Sequence, residues 1–412
     1  MIKKSYQLHL NTTATGQIKA AELVLLEENQ QIRQVGFRYF PEYLAHPHAF
    51  ALDPAQLPLS AREFVFNCNN AAPAILDDYL PDDWGRKLLT KIALHQYQKR
   101  LNAHCASDVL AMLQHNHSRI GALCITEPQQ AAAYSAGIAL EKLQEAEQIA
   151  VKIDDNDFQN IDHQTLGLLY LANSGTGVGG ARPKALVYDN DAYYLAKFNR
   201  HKDDFNNARV ELACLLMAQD AGIHIGSGKI VPSAVNREVL LLERFDVQAQ
   251  GRRHLITANG LLKNPRSQQD LGQSFRYDDL YQLIQKFSVA VEQDLKQLLR
   301  LMLFNRAINN TDDHERNFSF MRHQNGYRLA PAYDLVPSLG LGEYHAAGFG
   351  FQPYPPSPKE AEKQGKIFGL SKGDVQEIAL QVETAVSRWP EHAQQAGVSE
   401  SDHIKVQRVL LK

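Results

Sequence analysis

Residues 294–338 place the tightest limit on what this chain can fold into. "DLKQLLRLMLFNRAI" sets Leu295, Leu298, Leu299, Met302 and Leu303 on one stripe of a helix, which must be buried against a core. That helix runs without a break into "NNTDDHERNFSF", residues 309–320, where three acidic residues, a histidine and an arginine stand among five amides and hydroxyls. A strand-like "NFSFM" follows at once. Solvated turns carry strings of this kind, but seldom between a long amphipathic helix and a strand. The string needs a chemical reason, and its partners must come from elsewhere in the chain.

Those partners emerge from the order of the polar groups. A loop with Gly175, Gly177, Gly179 and Gly180 is followed by Lys197 in a strand, Glu211 in a helix, then Asp312 and Asn317 five apart, then Asp334 in "LAPAYDLVPS". This is the set of parts that phosphoryl transfer from ATP requires. Glycines let a backbone approach polyphosphate and aim its N–H groups at anionic oxygens. A strand lysine supplies positive charge to the α- and β-phosphates, and a helix glutamate 14 residues later can steady it. Asp312 can accept or orient the proton of an attacking hydroxyl, while Asn317 and Asp334 are oxygen ligands suited to Mg²⁺. The Asp-x4-Asn spacing repeats that of the protein-kinase catalytic loop.

Each part has a plainer reading when taken singly. The glycines could be turn punctuation, Lys197 could snorkel from an edge strand, Glu211 could be a solvated helix residue, and "TDDHERN" could be a turn. Order and distance together outweigh these. Asp313 and His314 are further candidates as metal or general-base residues. A structural role is favoured for both because Asp312 already satisfies the spacing, though His314 stays among the cofactor-binding candidates.

At 412 residues the chain exceeds the size at which one core keeps growing, so two or three subdomains are expected. A net charge of −3, with nothing more basic than Lys99-Arg100 and Arg252-Arg253, gives no attraction to nucleic acid or to an anionic membrane. Cys68, Cys105, Cys124 and Cys214 show no metal or disulfide spacing and read as buried thiols. The start "MIKKSYQLHLNTT" lacks an apolar core, and runs such as "LGLLYLA" fall far short of the roughly 18 residues that span a bilayer, so a cytoplasmic location is expected. Strand-like pieces dominate the first 40 residues, and "AAPAILDDYLPDDWGRKLL" turns helical with Pro81 and Gly85 interrupting it. Around 127–165 the texture becomes polar and Gln/Ala/Glu-rich, the best candidate for a connecting segment. "KALVY" and "AYYLAKF" read as a hairpin about an Asp/Asn turn, followed by a helix with Val210, Ala213, Met217 and Ala218 on its buried face. The proline-rich stretch 352–366 reads as an exposed loop.

"GGARPKALV", "YYLAKF", "LLLERFD", "NNTDDHERNFSF" and "LAPAYDLVPS", with "FRYFPEYL" and "LPDDWGRKLL" near the start, resemble the HipA family of bacterial serine/threonine kinases. These are the toxins of HipBA-type toxin–antitoxin pairs. The resemblance implies an α+β, bilobal protein-kinase-like fold with an additional N-terminal α/β subdomain over 1–130, a connecting segment over 131–165, an N-lobe-like region over 166–247 and a mainly helical C-terminal lobe over 248–412. It implies ATP and Mg²⁺ as cofactors and a protein serine or threonine as acceptor. By it Asp312 is the catalytic base, Asn317 and Asp334 hold metal, and Lys197 contacts phosphate. Gly177, Val178, Gly179, Gly180 and Ala181 form the nucleotide loop, with Glu243, Arg244 and Phe245 at the adenine-binding hinge. It further implies a helix-turn-helix antitoxin as partner, DNA contact only through that partner, and no membrane. Family members often carry an autophosphorylated serine just before the element matching "GGARPK". Here Gly177 stands directly before Val178, which leaves Ser174 and Thr176 as the candidates. Phosphate on either adds about 1.5 to 2 negative charges to a loop that cradles phosphates, so autoinhibition is the expected effect. The alternatives are a small-molecule kinase of related fold and a non-catalytic nucleotide-binding pseudokinase that binds an antitoxin.

Overall fold

The computed structural model describes residues 1–68, 71–113, 120–155, 182–235, 238–264, 266, 271–340 and 344–411. They form a mixed α+β structure in two compact units, one of residues 1–200 with 244–270 and the other of 201–243 with 271–412. The chain thus passes between units after Arg200, Glu243 and Asp270.

In the first unit, strands Ile2–Thr12, Gly16–Glu28 and Gln31–Tyr39 form an antiparallel meander, flanked by Phe64–Asn67 on one side and Leu123–Thr126 on the other. Alternation decides which face is covered: Tyr6, Leu8 and Leu10 are buried beside Leu23, Leu25, Val35 and Phe37. The helix expected in "LPDDWGRKLL" runs Asp83–Tyr97, capped by Asp82, which accepts from the Gly85 N–H at 2.8 Å. Gly85 is required there, since a Cβ would lie 2.6 Å from that of Pro81. The hairpin Lys184–Asp189/Ala192–Lys197 turns through Asn190 at φ +52°, with Lys184 directly opposite Lys197. All four cysteines are buried and none is in a disulfide.

Two of the motifs quoted above meet in this unit. Asp82 of "PDDW" pairs with Lys184 of "RPK" at 2.6 Å, their side chains 5% and 6% exposed. Burial holds the Asp82 carboxyl above its usual range even though Lys184 and the Gly85 N–H pull it down. Replacing Lys184 by Met strands a buried carboxylate, so Lys184→Met should lose about 3 kcal/mol in a denaturant titration. The double variant Asp82→Asn/Lys184→Met should recover much of that loss.

In the second unit, Asn206 caps the helix Asn207–Asp220, which buries Val210, Ala213, Met217 and Ala218. Arg209 side-chain bonds hold the Glu238 carboxyl down at about 2, and Arg209 Nη1 also donates to Ala396 O at 2.9 Å. Strands Gly228–Val231 and Val239–Glu243 pair antiparallel. Helix Val291–Ala307 buries the expected leucine stripe against helices Tyr277–Phe287 and Lys372–Ser387, and the hairpin Ser319–His323/Gly326–Leu329 follows. The stretch 352–366 departs from the loop expected of it. Pro355 and Pro356 are buried, and Ser357 with Glu360 forms a reciprocal capping box that starts a helix at Pro358–Gln364.

Candidate functional site

The polar string begins where the helix Val291–Ala307 ends. Ile308 N–H still bonds to Phe304 O at 2.9 Å, then Asn309 turns the chain at φ +55° and its amide donates to Ser338 O at 2.7 Å. Asparagine tolerates this left-handed conformation better than most residues. The turn brings 309–317 alongside 334–338, so the two acidic motifs separated in sequence become neighbours.

Below the string lies a buried polar frame. Asp313, 1% exposed, accepts from Tyr277 Oη at 2.8 Å, from His345 Nδ1 at 3.1 Å and from the Ala347 N–H at 3.1 Å. Tyr277 Oη in turn accepts from Asn305 Nδ2 at 3.0 Å, and Asn305 Oδ1 accepts from Asn310 Nδ2 at 3.1 Å. Burial and the charge of Asp313 keep the Tyr277 hydroxyl protonated well beyond the usual range. Glu315, also buried, accepts from the Leu271 N–H at 2.8 Å. Tyr333 of "PAYD" bonds to Ser319 Oγ at 2.7 Å and donates to Arg316 O at 2.9 Å. Each acidic residue of the string except Asp312 is therefore held inward.

Asp312 faces outward, its side chain 82% exposed. Desolvation by surrounding protein pushes its carboxyl above the ordinary 3.8, partly opposed by His314 and reinforced by the negative charges of Asp334 and Asp313. With so open a side chain the shift is small in energy. His314 Nδ1 accepts from the Arg316 N–H at 3.2 Å, which puts the proton of a neutral imidazole on Nε2, the nitrogen 3.8 Å from Asp312 Oδ1. Asn317 Nδ2 donates to Asp312 O at 2.8 Å. Its Oδ1 is buried with no hydrogen-bond partner among the described residues. Asp334 adopts φ +55°, and its carbonyl accepts from Asn310 Nδ2 at 3.1 Å.

The second unit therefore gathers Asp312, His314, Asn317 and Asp334. Glu211 belongs to the same unit and is 3% exposed, which removes the reading of it as a solvated helix residue. Lys197 ends its strand in the first unit, half-buried. Glu243 and Arg244 flank a crossing between units. Glu243 is exposed and accepts from Ser227 Oγ, whereas Arg244 is buried against Asp246 at 2.7 Å, and Phe245 is half-buried. Ser174, Thr176, Gly177, Val178, Gly179, Gly180 and Ala181 lie outside the described residues. Tyr277, Asn305, Asn310 and His345 escaped the sequence reading. The one available signal was Asn305, a polar residue inside an apolar helical stripe.

The fit of a divalent cation can be judged from these atoms. Among the described residues no three His, Cys, Asp or Glu side chains group as a metal cage. A Mg²⁺ on a nucleotide does not need one, because water and phosphate fill most of its shell. A buried amide oxygen without a donor, beside carboxylates that repel one another, is a set of hard oxygens suited to that ion.

Comparison with known proteins bears on the family of the chain. The family model described as HipA-like C-terminal domain matches residues 176–389, and the HipA N-terminal domain matches residues 12–126. A curated protein of Sinorhizobium fredii (strain NBRC 101917 / NGR234), Y4mE, a candidate kinase by name, is 27% identical over 197 residues, which cover 46% of this chain and 41% of that protein. The chain thus matches well under half of that relative's length. A solved chain from the Shewanella oneidensis MR-1 toxin–antitoxin complex of HipA, HipB and operator DNA superimposes with a TM-score of 0.65 at 17% identity, over 98% of this chain and 94% of the other. That likeness establishes a shared fold. With one family model spanning more than half of its length and a second spanning most of the region before it, the chain belongs to the HipA family.

Proposed function

We propose that this protein is an ATP- and Mg²⁺-dependent serine/threonine protein kinase, the toxin of a toxin–antitoxin pair. The observation that carries the reading is the outward face of the catalytic string. Asp312 stands open on a frame that immobilises the adjoining Asp313, beside an orphaned Asn317 Oδ1 and the Asp334 carboxylate. ATP with Mg²⁺ supplies the phosphoryl group and screens its charge. Asn317 Oδ1 and Asp334 would hold the metal, and Lys197 would meet the polyphosphate. Asp312 accepts or orients the hydroxyl proton of the acceptor. His314 Nε2, 3.8 Å from Asp312 Oδ1, acts on that carboxylate through charge rather than through a hydrogen bond. The rate contribution is then positioning and charge rather than covalent chemistry.

Membership of the family also motivates the regulatory side of the proposal: a helix-turn-helix antitoxin as partner, DNA reached through it, and control by phosphate on Ser174 or Thr176. Among the described residues no helix is long and apolar enough to cross a membrane.

The test is incubation of wild-type and Asp312→Asn protein with γ-labelled ATP and Mg²⁺ in a lysate of the source cells, followed by mass spectrometry. Phosphoserine or phosphothreonine made by the wild type alone, on one or a few proteins, is the expected result. Label confined to metabolites would replace the protein acceptor with a small molecule. The pH profile gives a second check. Asp312 works as a carboxylate and its folded value lies above 3.8, so the transfer rate should fall with decreasing pH at a midpoint above that value.

A further inference from the structure

We infer that Asn310 is a positioning residue that sets the backbone of Asp334, its direction of donation fixed by the buried charge of Asp313. The inference rests on the reading of Asp334 and Asn317 as metal ligands.

The hydrogen bonds form a one-way chain. An ionised carboxylate can only accept, so Asp313 obliges Tyr277 Oη to donate to it at 2.8 Å. With its proton committed, Tyr277 Oη accepts from Asn305 Nδ2 at 3.0 Å, which turns Asn305 Oδ1 toward Asn310. Asn310 must then present its NH₂. One hydrogen goes to Asn305 Oδ1 at 3.1 Å and the other to Asp334 O at 3.1 Å. All four residues from Asp313 to Asn310 are buried, at 3% exposure or less, so water offers little competition for these bonds.

The far end of the chain is the residue that needs holding. Asp334 sits at φ +55°, a left-handed conformation that most non-glycine residues avoid. Releasing its carbonyl lets the backbone relax and moves the carboxylate that the metal reading requires. Asp313 neighbours Asp312 in sequence, so a single buried charge fixes the proton-accepting loop and the metal-holding residue together.

Asn310→Asp tests this with almost no change of shape, since a carboxylate cannot donate to either oxygen. Mn²⁺ binding in the presence of a non-hydrolysable ATP analogue, read by electron paramagnetic resonance, should weaken at least tenfold. Metal-free nucleotide affinity should stay within about twofold, a separation that general loosening would not give. Tyr277→Phe cuts the chain between Asp313 and Asn305 and should weaken Mn²⁺ about threefold. It decides the matter where Asn310→Asp fails to fold by circular dichroism. A folded variant binding Mn²⁺ as tightly as wild type overturns the inference. Wild-type protein that binds no Mn²⁺ with the nucleotide overturns the metal-ligand reading as well, and the two failures are told apart by that control.

Discussion

Asp312→Asn should cut phosphoryl transfer by about a thousandfold while leaving nucleotide affinity nearly unchanged, because positioned acid–base groups contribute ~10²- to 10⁴-fold. Among the described residues the exposed carboxyl carries no hydrogen bond that an amide would break, and the neighbouring Asn317 bond goes to the Asp312 backbone carbonyl. Stability should move the other way. The folded carboxyl lies above its unfolded value, so ionising it costs the fold stability as pH rises through that window, and the cost is fully present at neutral pH. The variant should therefore melt no earlier than wild type at pH 7. Full activity in Asp312→Asn would pass the role of base to Asp313 or another group.

The adjacent aspartate should fail in the opposite manner. Asp313→Ala leaves Tyr277 Oη, His345 Nδ1 and the Ala347 N–H facing a void where a carboxylate stood. Removing one side of a buried charged network typically costs about 3 to 5 kcal/mol. A denaturant titration should show that loss, with activity falling in step with the folded fraction. A variant as stable as wild type would mean that the frame's energy lies elsewhere, in the apolar contacts of Phe318 with Phe275 and Tyr277.

These two residues also show how far the sequence could be read. Spacing separated Asp312 from Asp313, because an acid and an amide with four residues between them is a relation along one short segment, and the structure buries Asp313 while leaving Asp312 open. The strands of the first unit and the helices Asn207–Asp220 and Val291–Ala307 were legible for a similar reason, since period and capping residues are local. Burial of Glu211 was not, because helical spacing alone does not say how wide the covered face is. Asn310, Tyr277 and His345 were invisible, since each matters through a partner brought close by the fold. The capping box at Ser357 was present in the letters "SPKE", but the prolines before it carry the stronger local signal, that of a loop. The two compact units were hidden for another reason. Each is made of two chain segments, and no change of composition marks Arg200, Glu243 or Asp270.

That interleaving bears on how the protein is born. A ribosome adding about 5 to 20 residues per second produces Arg200 several seconds before Asp270, so the first unit must wait, incomplete, while part of the second emerges. The second unit waits longer. Helix Asn207–Asp220 is tied through Arg209 to Ala396, Asn206 N–H reaches Asp402, and Leu411 N–H closes on Ala307 O. The nascent chain therefore carries every residue proposed for catalysis well before it can hold them in place, and a transcript broken between the codons for 334 and 396 would release those letters without the fold that positions them.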